Sequence, residues 1–418
     1  MAAPGLSWQM TKSPACKPRS GSRPVRPTSH HDQVGLLQAQ LQRHLGWHRA
    51  RLNFLAKVLL ALLAAGSVNL TKVARAFSGP AQLDSHYKRL QRFLRGFDCW
   101  GDGGLTRLLA GLSGVEPPWS LSRDRTDWRP AVAGTHLPWI NFLVLGIVRD
   151  GVAYPLVWTL LPKAGSSNAQ ERIALMERFV ALFGPKAVRF IAMDREFGTS
   201  KAWEQWLGQR GLDFRLRLCV STQLSYGAGK PAPVGRLFGG LRPTKALQPR
   251  GARRLFGVRV RVAALRLPPE KCVLTQAAKR AKGHAQPGDE LVVVVGAYRR
   301  GECADLLADY RLRWGIESLF GALKSRGFDL ESTHLRHSER LERLLALLAL
   351  AFGWAHRTGV WVAEHVRAPR LIAKYGRRAK SLFRLGLDCL CQLLAPAALR
   401  PRDRRARFRL FATFLSCA

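Results

Sequence analysis

Tyr310, Arg313, Glu317 and Lys324 stand at spacings that would align four polar groups on one side of a helix. At about 100° per residue they fall within about 60° of one another, over roughly 21 Å of axis. Leu312, Ile316, Leu319 and Leu323 form a separate apolar stripe suited to a core. One carboxylate flanked by two cations and a phenol suits contact with phosphate and metal. The same pattern also describes a solvated helix face with an Arg313–Glu317 pair worth ~0.3–0.5 kcal/mol.

Two aspartates could join Glu317. Acidic residues are scarce, 28 against 67 Lys and Arg, so those beside apolar runs stand out. Asp194 directly follows Ala187–Met193, which reads as a buried strand, and ligands of α/β sheets bind at strand ends. Asp124 lies in Ser-Arg-Asp-Arg-Thr-Asp-Trp, just before the first clear hairpin. Three carboxylates from three distant segments can hold two Mg²⁺ (or Mn²⁺) ions about 3.5–4 Å apart. One ion would activate a water or 3′-hydroxyl, the other would stabilise the leaving oxygen of a phosphodiester. Each carboxylate alone has a plainer use. Asp194-Arg-Glu could be a strand-end turn that caps the next helix, and either Asp124 or Asp127 could be an N-cap; as ligands, Asp127 is an alternative to Asp124 and Glu196 could replace Asp194. Spacing does not say whether the three converge.

The elements that must position them follow from periodicity. Ile140–Val148 and Val152–Leu160 read as strands joined by a hairpin turn at Arg149-Asp150-Gly151. Asn168–Phe183 is periodic as a helix, Ser200–Gly208 reads as a second, and Phe214–Val220 as a further strand. This is a mixed α/β plan over residues 105–220. Residues 221–298 are rich in Gly, Pro, Arg and Lys and read as a β-rich insertion. Residues 299–358 return to helix, and 359–418 read as a basic helical C-terminal region.

Residues 33–104 read as helical. Leu52–Ala65 ends at Gly66, Asn69–Phe77 is broken by Ser78-Gly79-Pro80, and a basic helix follows with Lys88, Arg89 and Arg92. This order suits either a helix-turn-helix DNA reader or a plain packing module with solvated cations. Residues 1–32, rich in Pro, Ser and Arg, read as a disordered basic arm.

Composition narrows the partners. The formal net charge is +39, which repels itself unless a polyanion neutralises it, and nucleic acid is the expected partner. Hydrophobic content of 47% requires folded cores. The longest apolar runs fall short of the ~20 residues that span a bilayer, so no membrane is expected. Eight cysteines without a metal-binding spacing read as core residues of a reducing cytoplasm.

With these segments in view, the chain resembles the DDE transposases of the insertion-sequence-four family. Their signature is Tyr, two residues, Arg, three residues, Glu, six residues, Lys, and Tyr310, Arg313, Glu317 and Lys324 match it throughout. Asp-Arg-Thr-Asp-Trp resembles the motif around the family's first catalytic Asp, here Asp124. Ala-Met-Asp-Arg-Glu-Phe-Gly resembles that around the second, here Asp194. The resemblance spans about residues 35–355. It implies a ribonuclease H-like catalytic core with a β-rich insertion between Asp194 and Glu317, and helical N- and C-terminal regions. It also implies metal ligation by Asp124, Asp194 and Glu317, and phosphate contacts by Tyr310, Arg313, Lys324 and, less directly, Arg215. Trp314 would stack on a displaced base, where otherwise it would be a core residue. The activity implied is cut-and-paste transposition, with a hairpin at the element end, by a protein that dimerises on terminal repeats in a bacterial cytoplasm. A nuclease without strand transfer, or a catalytically silent DNA-binding protein, would share most of these features.

Overall fold

A computed structural model describes residues 30–98, 100–129, 139–198, 200–227, 229–268, 290–299, 305–373, 376–395 and 401–416. The expected basic arm lies almost wholly outside these residues, and helix already begins at His30.

The chain starts with helices α1 (His30–Gln42), α2 (Arg49–Ala65), α3 (Leu70–Arg75), α4 (Leu83–Gly96) and α5 (Gly104–Ser113). The end of α2 is set by Gly66, whose φ of 55° turns the chain left-handed, as expected of a helix-closing glycine. Asn69 caps α3 by accepting from the Thr71 and Lys72 amides.

Strands β1 (Trp119–Trp128), β2 (Ile140–Arg149) and β3 (Val152–Leu160) follow as an antiparallel meander. Asp150 and Gly151 both take positive φ, 52° and 80°, the backbone of a two-residue hairpin turn. Helix α6 (Ala169–Phe183) opens with an Asn168–Glu171 capping box and leads to β4 (Val188–Met193). Helix α7 (Lys201–Gln209) then leads to β5 (Phe214–Leu218). β4 lies parallel to β1, and β5 parallel to β4, giving the order β3-β2-β1-β4-β5. An antiparallel meander extended by two parallel strands is the ribonuclease H-like sheet.

The segment expected as a β-rich insertion opens with a small hairpin, β6 (Gln223–Leu224) and β7 (Ala232–Pro233), and the short helix α8 (Val234–Leu237). Its remaining strands are β8 (Ala246–Leu247), β9 (Arg253–Leu255), β10 (Val258–Arg266) and β11 (Leu291–Ala297). They continue the same sheet: β11 pairs antiparallel with β5, β10 with β11, and β8 and β9 with β10.

The chain returns to helix with α9 (Leu306–Arg311), α10 (Trp314–Leu323) and α11 (Ser338–His365). A small hairpin, β12 (Leu371–Ile372) with β13 (Arg377–Arg378), precedes α12 (Leu382–Leu394) and α13 (Pro401–Thr413). α11 is long and apolar enough to cross a membrane, but 83% of its apolar window is buried against β3, α5, α2 and α12. One core cluster runs from Val34 to Leu415, so the helical ends and the sheet share a single apolar interior. Cys389 and Cys391 pack against that core, as expected, and burial raises both thiols.

Inside that interior, the buried Tyr154 hydroxyl of β3 meets His356 Nδ1 of α11 at 2.5 Å. Burial pushes the imidazole down to about 4, so it stays neutral. Tyr154→Phe leaves that nitrogen unpaired in an apolar setting, which should cost about 1–3 kcal/mol. Chemical denaturation of the two proteins measures this, and an unchanged midpoint would show that the bond contributes nothing.

Candidate active site

The sheet register brings the two aspartates together. Arg123 of β1 pairs with Met193 of β4 in parallel register, so Asp124 and Asp194 occupy the next positions on neighbouring strands. Asp124, expected just before the hairpin, sits in the middle of the ten-residue β1, opposite Val144 of β2. The strand continues through its polar centre because its pairing with β2 runs from Leu121 to Trp128.

Glu317 arrives by a different route. The helix expected to run unbroken from Tyr310 to Lys324 is two helices, α9 and α10, with Leu312 and Arg313 in the turn between them. Tight bonds from the Arg313 amide to Tyr310 O and from the Ile316 amide to Arg313 O close this turn. The break also changes the apolar stripe. Ile316, Leu319 and Leu323 are buried, but Leu312 is 38% exposed. Two contacts fix the start of α10. Ser122 Oγ donates to Arg313 O at 3.1 Å, two residues before Asp124 on β1. Gly315 lies so close to the β2–β3 hairpin that a Cβ there would meet Val152 backbone at 3.0 Å.

The carboxylates gather around Arg313. Its Nη1 donates to Asp124 Oδ2 at 2.6 Å and its Nη2 to Glu317 Oε1 at 2.9 Å, with the side chain only 7% exposed. The Tyr310 hydroxyl donates to Asp194 Oδ1 at 3.1 Å, and Arg217 Nη1 lies 3.9 Å from the same oxygen. Among the described residues, no three acidic, His or Cys side chains stand close enough to share one ion. A guanidinium separates Asp124 from Glu317. Its place between two carboxylates is nonetheless where a cation is favoured, and an all-carboxylate donor set fits a hard divalent ion.

The aspartates differ in charge state. Burial pushes Asp124 up to about 7, although Arg313 and the Arg125 amide pull it down. Burial acts the same way on Asp194, but Arg313, Arg217, the Arg195 amide and the Tyr310 hydroxyl outweigh it and hold Asp194 below its usual range. Burial and the nearby Asp194 charge raise the Tyr310 phenol, so it remains a donor. Arg313 is raised, since the surrounding acidic groups outweigh its own burial.

The other expected contacts divide. Lys324 is a neighbour of the site: it forms the C-cap of α10, donates to Asp127 O at 3.4 Å and pairs with Glu331 at 2.9 Å. Trp314 is 65% exposed, so it is not a core residue. Arg215 does not reach outward to phosphate. It is buried in β5, pairs with Asp213 at 2.7 Å and Asp309 at 2.8 Å, and thereby holds α9 on the sheet one residue before Tyr310. Lys88, Arg89 and Arg92 are exposed on α4, apart from the carboxylates, with the Arg89 guanidinium over the Phe54 ring.

Sequence reasoning missed the layer beneath the aspartates. Arg123 is fully buried on the other face of β1, with its guanidinium 4.3 Å from the Phe197 ring and 4.1 Å from the Trp203 ring. Arg172 of α6 donates to the Glu196 and Phe197 carbonyls at 3.2 and 3.5 Å, holding the turn that starts at Asp194. Glu196 is not at the centre of the carboxylate group; it pairs with Arg125 at 3.5 Å. Alternation along β1 was the available signal, since Arg123 shares a face with Leu121 and cannot point the way Asp124 does.

The Asp124 shift has a sign. A carboxyl near 3.9 when unfolded and about 7 when folded binds its proton more tightly in the folded protein, so stability falls as pH rises between these values. Asp124→Asn removes that term. In metal-free buffer, wild-type Tm relative to the variant should drop as pH rises from about 5 to about 8. A difference that stays flat across this range would place Asp124 in its ionised form throughout.

No curated protein matches the chain. A solved structure, the cryo-EM structure of piggyBac transposase synaptic complex with hairpin DNA, is similar at 12% identity and a TM-score of 0.39, covering 90% of this chain and 81% of that one. Residues 163–354 match the family model for the transposase DDE domain. Asp194, Tyr310, Arg313, Glu317 and Lys324 fall inside this match, and Asp124 lies on the strand that Asp194 adjoins.

Proposed function

We propose that the chain is a DNA transposase of the insertion-sequence-four type, with Asp124, Asp194 and Glu317 as its catalytic carboxylates. The observation that most supports this is the meeting of β1, the end of β4 and α10 around Arg313, inside and beside the residues that match the transposase DDE domain. Mg²⁺ or Mn²⁺, as two ions, would be held by these three carboxylates, and would supply activation of the attacking oxygen and stabilisation of the leaving one.

The chain's own groups supply the rest. Tyr310 fixes one oxygen of Asp194. Arg313 commits an N–H of each amino group to Asp124 and Glu317, so it orients both carboxylates at once. Lys324 and Arg217 bracket the site with positive charge. The exposed cations of α4 hold duplex DNA of the element's terminal repeats, and the +39 charge draws the polyanion in. Water attacks the phosphodiester at the element end, the bond to the 3′-oxygen breaks, and that oxygen leaves as a 3′-hydroxyl. The freed hydroxyl then attacks the opposite strand, closing a hairpin, or attacks target DNA. Two copies act together on two ends, in the bacterial cytoplasm.

Glu317→Gln keeps the size of the side chain and removes its charge. Cleavage of an end-bearing duplex in Mg²⁺ should fall below detection, while binding of that duplex stays within about threefold, since loss of one negative charge does not weaken phosphate contacts. Cleavage retained by the variant would overturn the assignment. Cleavage by the wild type without joining to target DNA would reduce the protein to a nuclease.

A further inference from the structure

A cleft of about 800 Å³ opens between α10, the β2–β3 turn and the start of α12, and the three candidate carboxylates do not line it. His356 of α11 lines it and is itself fully buried. The Tyr154 hydroxyl holds its Nδ1 at 2.5 Å, while Nε2 has no hydrogen-bond partner among the described residues. Buried polar atoms are rarely left unpaired, so one beside a cavity points to a ligand that enters it. Burial raises the Tyr154 phenol, which therefore keeps its proton. With that proton given to Nδ1, the ring's own proton sits on Nε2, and the cleft gains a neutral donor.

The opposite wall supplies further donors. Ser381, Leu382, Phe383 and Arg384, the first turn of α12, line the cleft. Ser381 Oγ accepts from the Arg384 amide and Ser381 O from the Leu385 amide, which leaves the Leu382 and Phe383 amides without a helical partner. α12 runs for 13 residues, and its dipole favours an anion at this end. Two glycines set this turn close to α11. A Cβ at Gly359, three residues beyond His356, would collide with the Leu382 carbonyl, and one at Gly386 with the Ala355 carbonyl. The charge agrees with the donors. Arg326, Arg378, Lys380 and Arg384 line the cleft and are exposed. Asp150 also lines it, and Asp388 pairs with Lys380 at 2.6 Å and Arg384 at 2.9 Å. Four cations against two acids leave an excess that suits a phosphate monoester, which carries roughly −1.5 to −2 near neutral pH.

We propose that this cleft binds a small phosphate monoester, its terminal oxygens held by the first amides of α12 and by His356 Nε2, with Arg378 and Lys380 neutralising its charge. The cleft has the volume of a small-molecule site. A monoester presents three terminal oxygens on one side and can reach a buried nitrogen. A phosphodiester of a DNA backbone presents two and carries a sugar on either side, which keeps it at the rim. The site does not depend on the transposase reading, since it shares no residue with the candidate carboxylate group.

The test is isothermal titration calorimetry on the full chain at constant ionic strength, with methyl phosphate as the monoester and dimethyl phosphate as the diester. Methyl phosphate should bind roughly tenfold or more tightly than dimethyl phosphate, as expected when charge-assisted hydrogen bonds are lost. Arg378→Gln with Lys380→Gln should weaken methyl phosphate by about tenfold or more. Lys88→Gln with Arg92→Gln removes the same charge from α4 and should leave that affinity within about threefold. His356→Leu removes the buried donor and should also cost about tenfold. Melting temperatures check that each variant is folded, and the exposed Arg378 and Lys380 decide the matter if the His356 variant is not. Equal losses for the cleft pair and the α4 pair would overturn the proposal, because they would report total charge alone. Equal affinity for the two esters would overturn it in favour of a DNA-backbone surface. No binding of methyl phosphate to the wild type, or full binding by folded His356→Leu protein, would overturn it as well.

Discussion

A single guanidinium holds this site together. Arg313 is almost wholly buried, and it joins Asp124 in the middle of β1 to Glu317 on α10. Arg313 depends on these acids in turn, because a buried charge stripped of its partner typically costs about 3–5 kcal/mol. The same turn that carries Arg313 separates α9 from α10. That break lets Tyr310 reach Asp194 while Glu317 faces Asp124. An unbroken helix would have kept the four groups in one line; the turn folds them around a point.

The strength of that arrangement comes from below. The parallel pairing of β1 with β4 sets Asp124 beside Asp194, and buried side chains on the far face keep it there. Arg123, flanked by the Phe197 and Trp203 rings, locks β1 to the turn after β4. Arg172 holds that turn by its carbonyls. Arg215 performs a similar task for α9, since its ion pair with Asp309 pins the residue next to Tyr310. Arginines account for much of the chain's positive charge, but these three are structural. The charge that remains for DNA is on α4 and around Lys324.

Much of this was legible in the chain before any fold was known. The hairpin turn at Asp150-Gly151, the Gly66 stop and the capping of α6 are local events, fixed by φ preferences and by side chains within a few residues. The Tyr-Arg-Glu-Lys spacing and the two Asp motifs pointed to Asp124, Asp194 and Glu317, which the fold places beside Arg313 and Tyr310. What misled was also local. Helical periodicity continues across Leu312 and Arg313, so nothing in the spacing signals the turn. The polar centre of β1 gave no apolar run to mark a strand, because its side chains alternate between two faces of the sheet. Arg215 looked like a phosphate contact because a basic residue in a strand gives no hint of which acids lie across the sheet.

By itself, then, the sequence determined which residue types could do chemistry, where local structure starts and stops, and a net charge of +39 that favours a polyanionic partner. These follow from side-chain chemistry, short-range backbone preference and total charge. Convergence was decided only by tertiary structure. Asp124, Asp194 and Glu317 are brought together by strand register and by a helix docked on a hairpin, contacts between residues up to 189 positions apart. The burial that raises Asp124, confines Arg215 and leaves Trp314 in water is likewise a property of the packed whole. It depends on what covers each side chain, and the covering residues come from elsewhere in the chain.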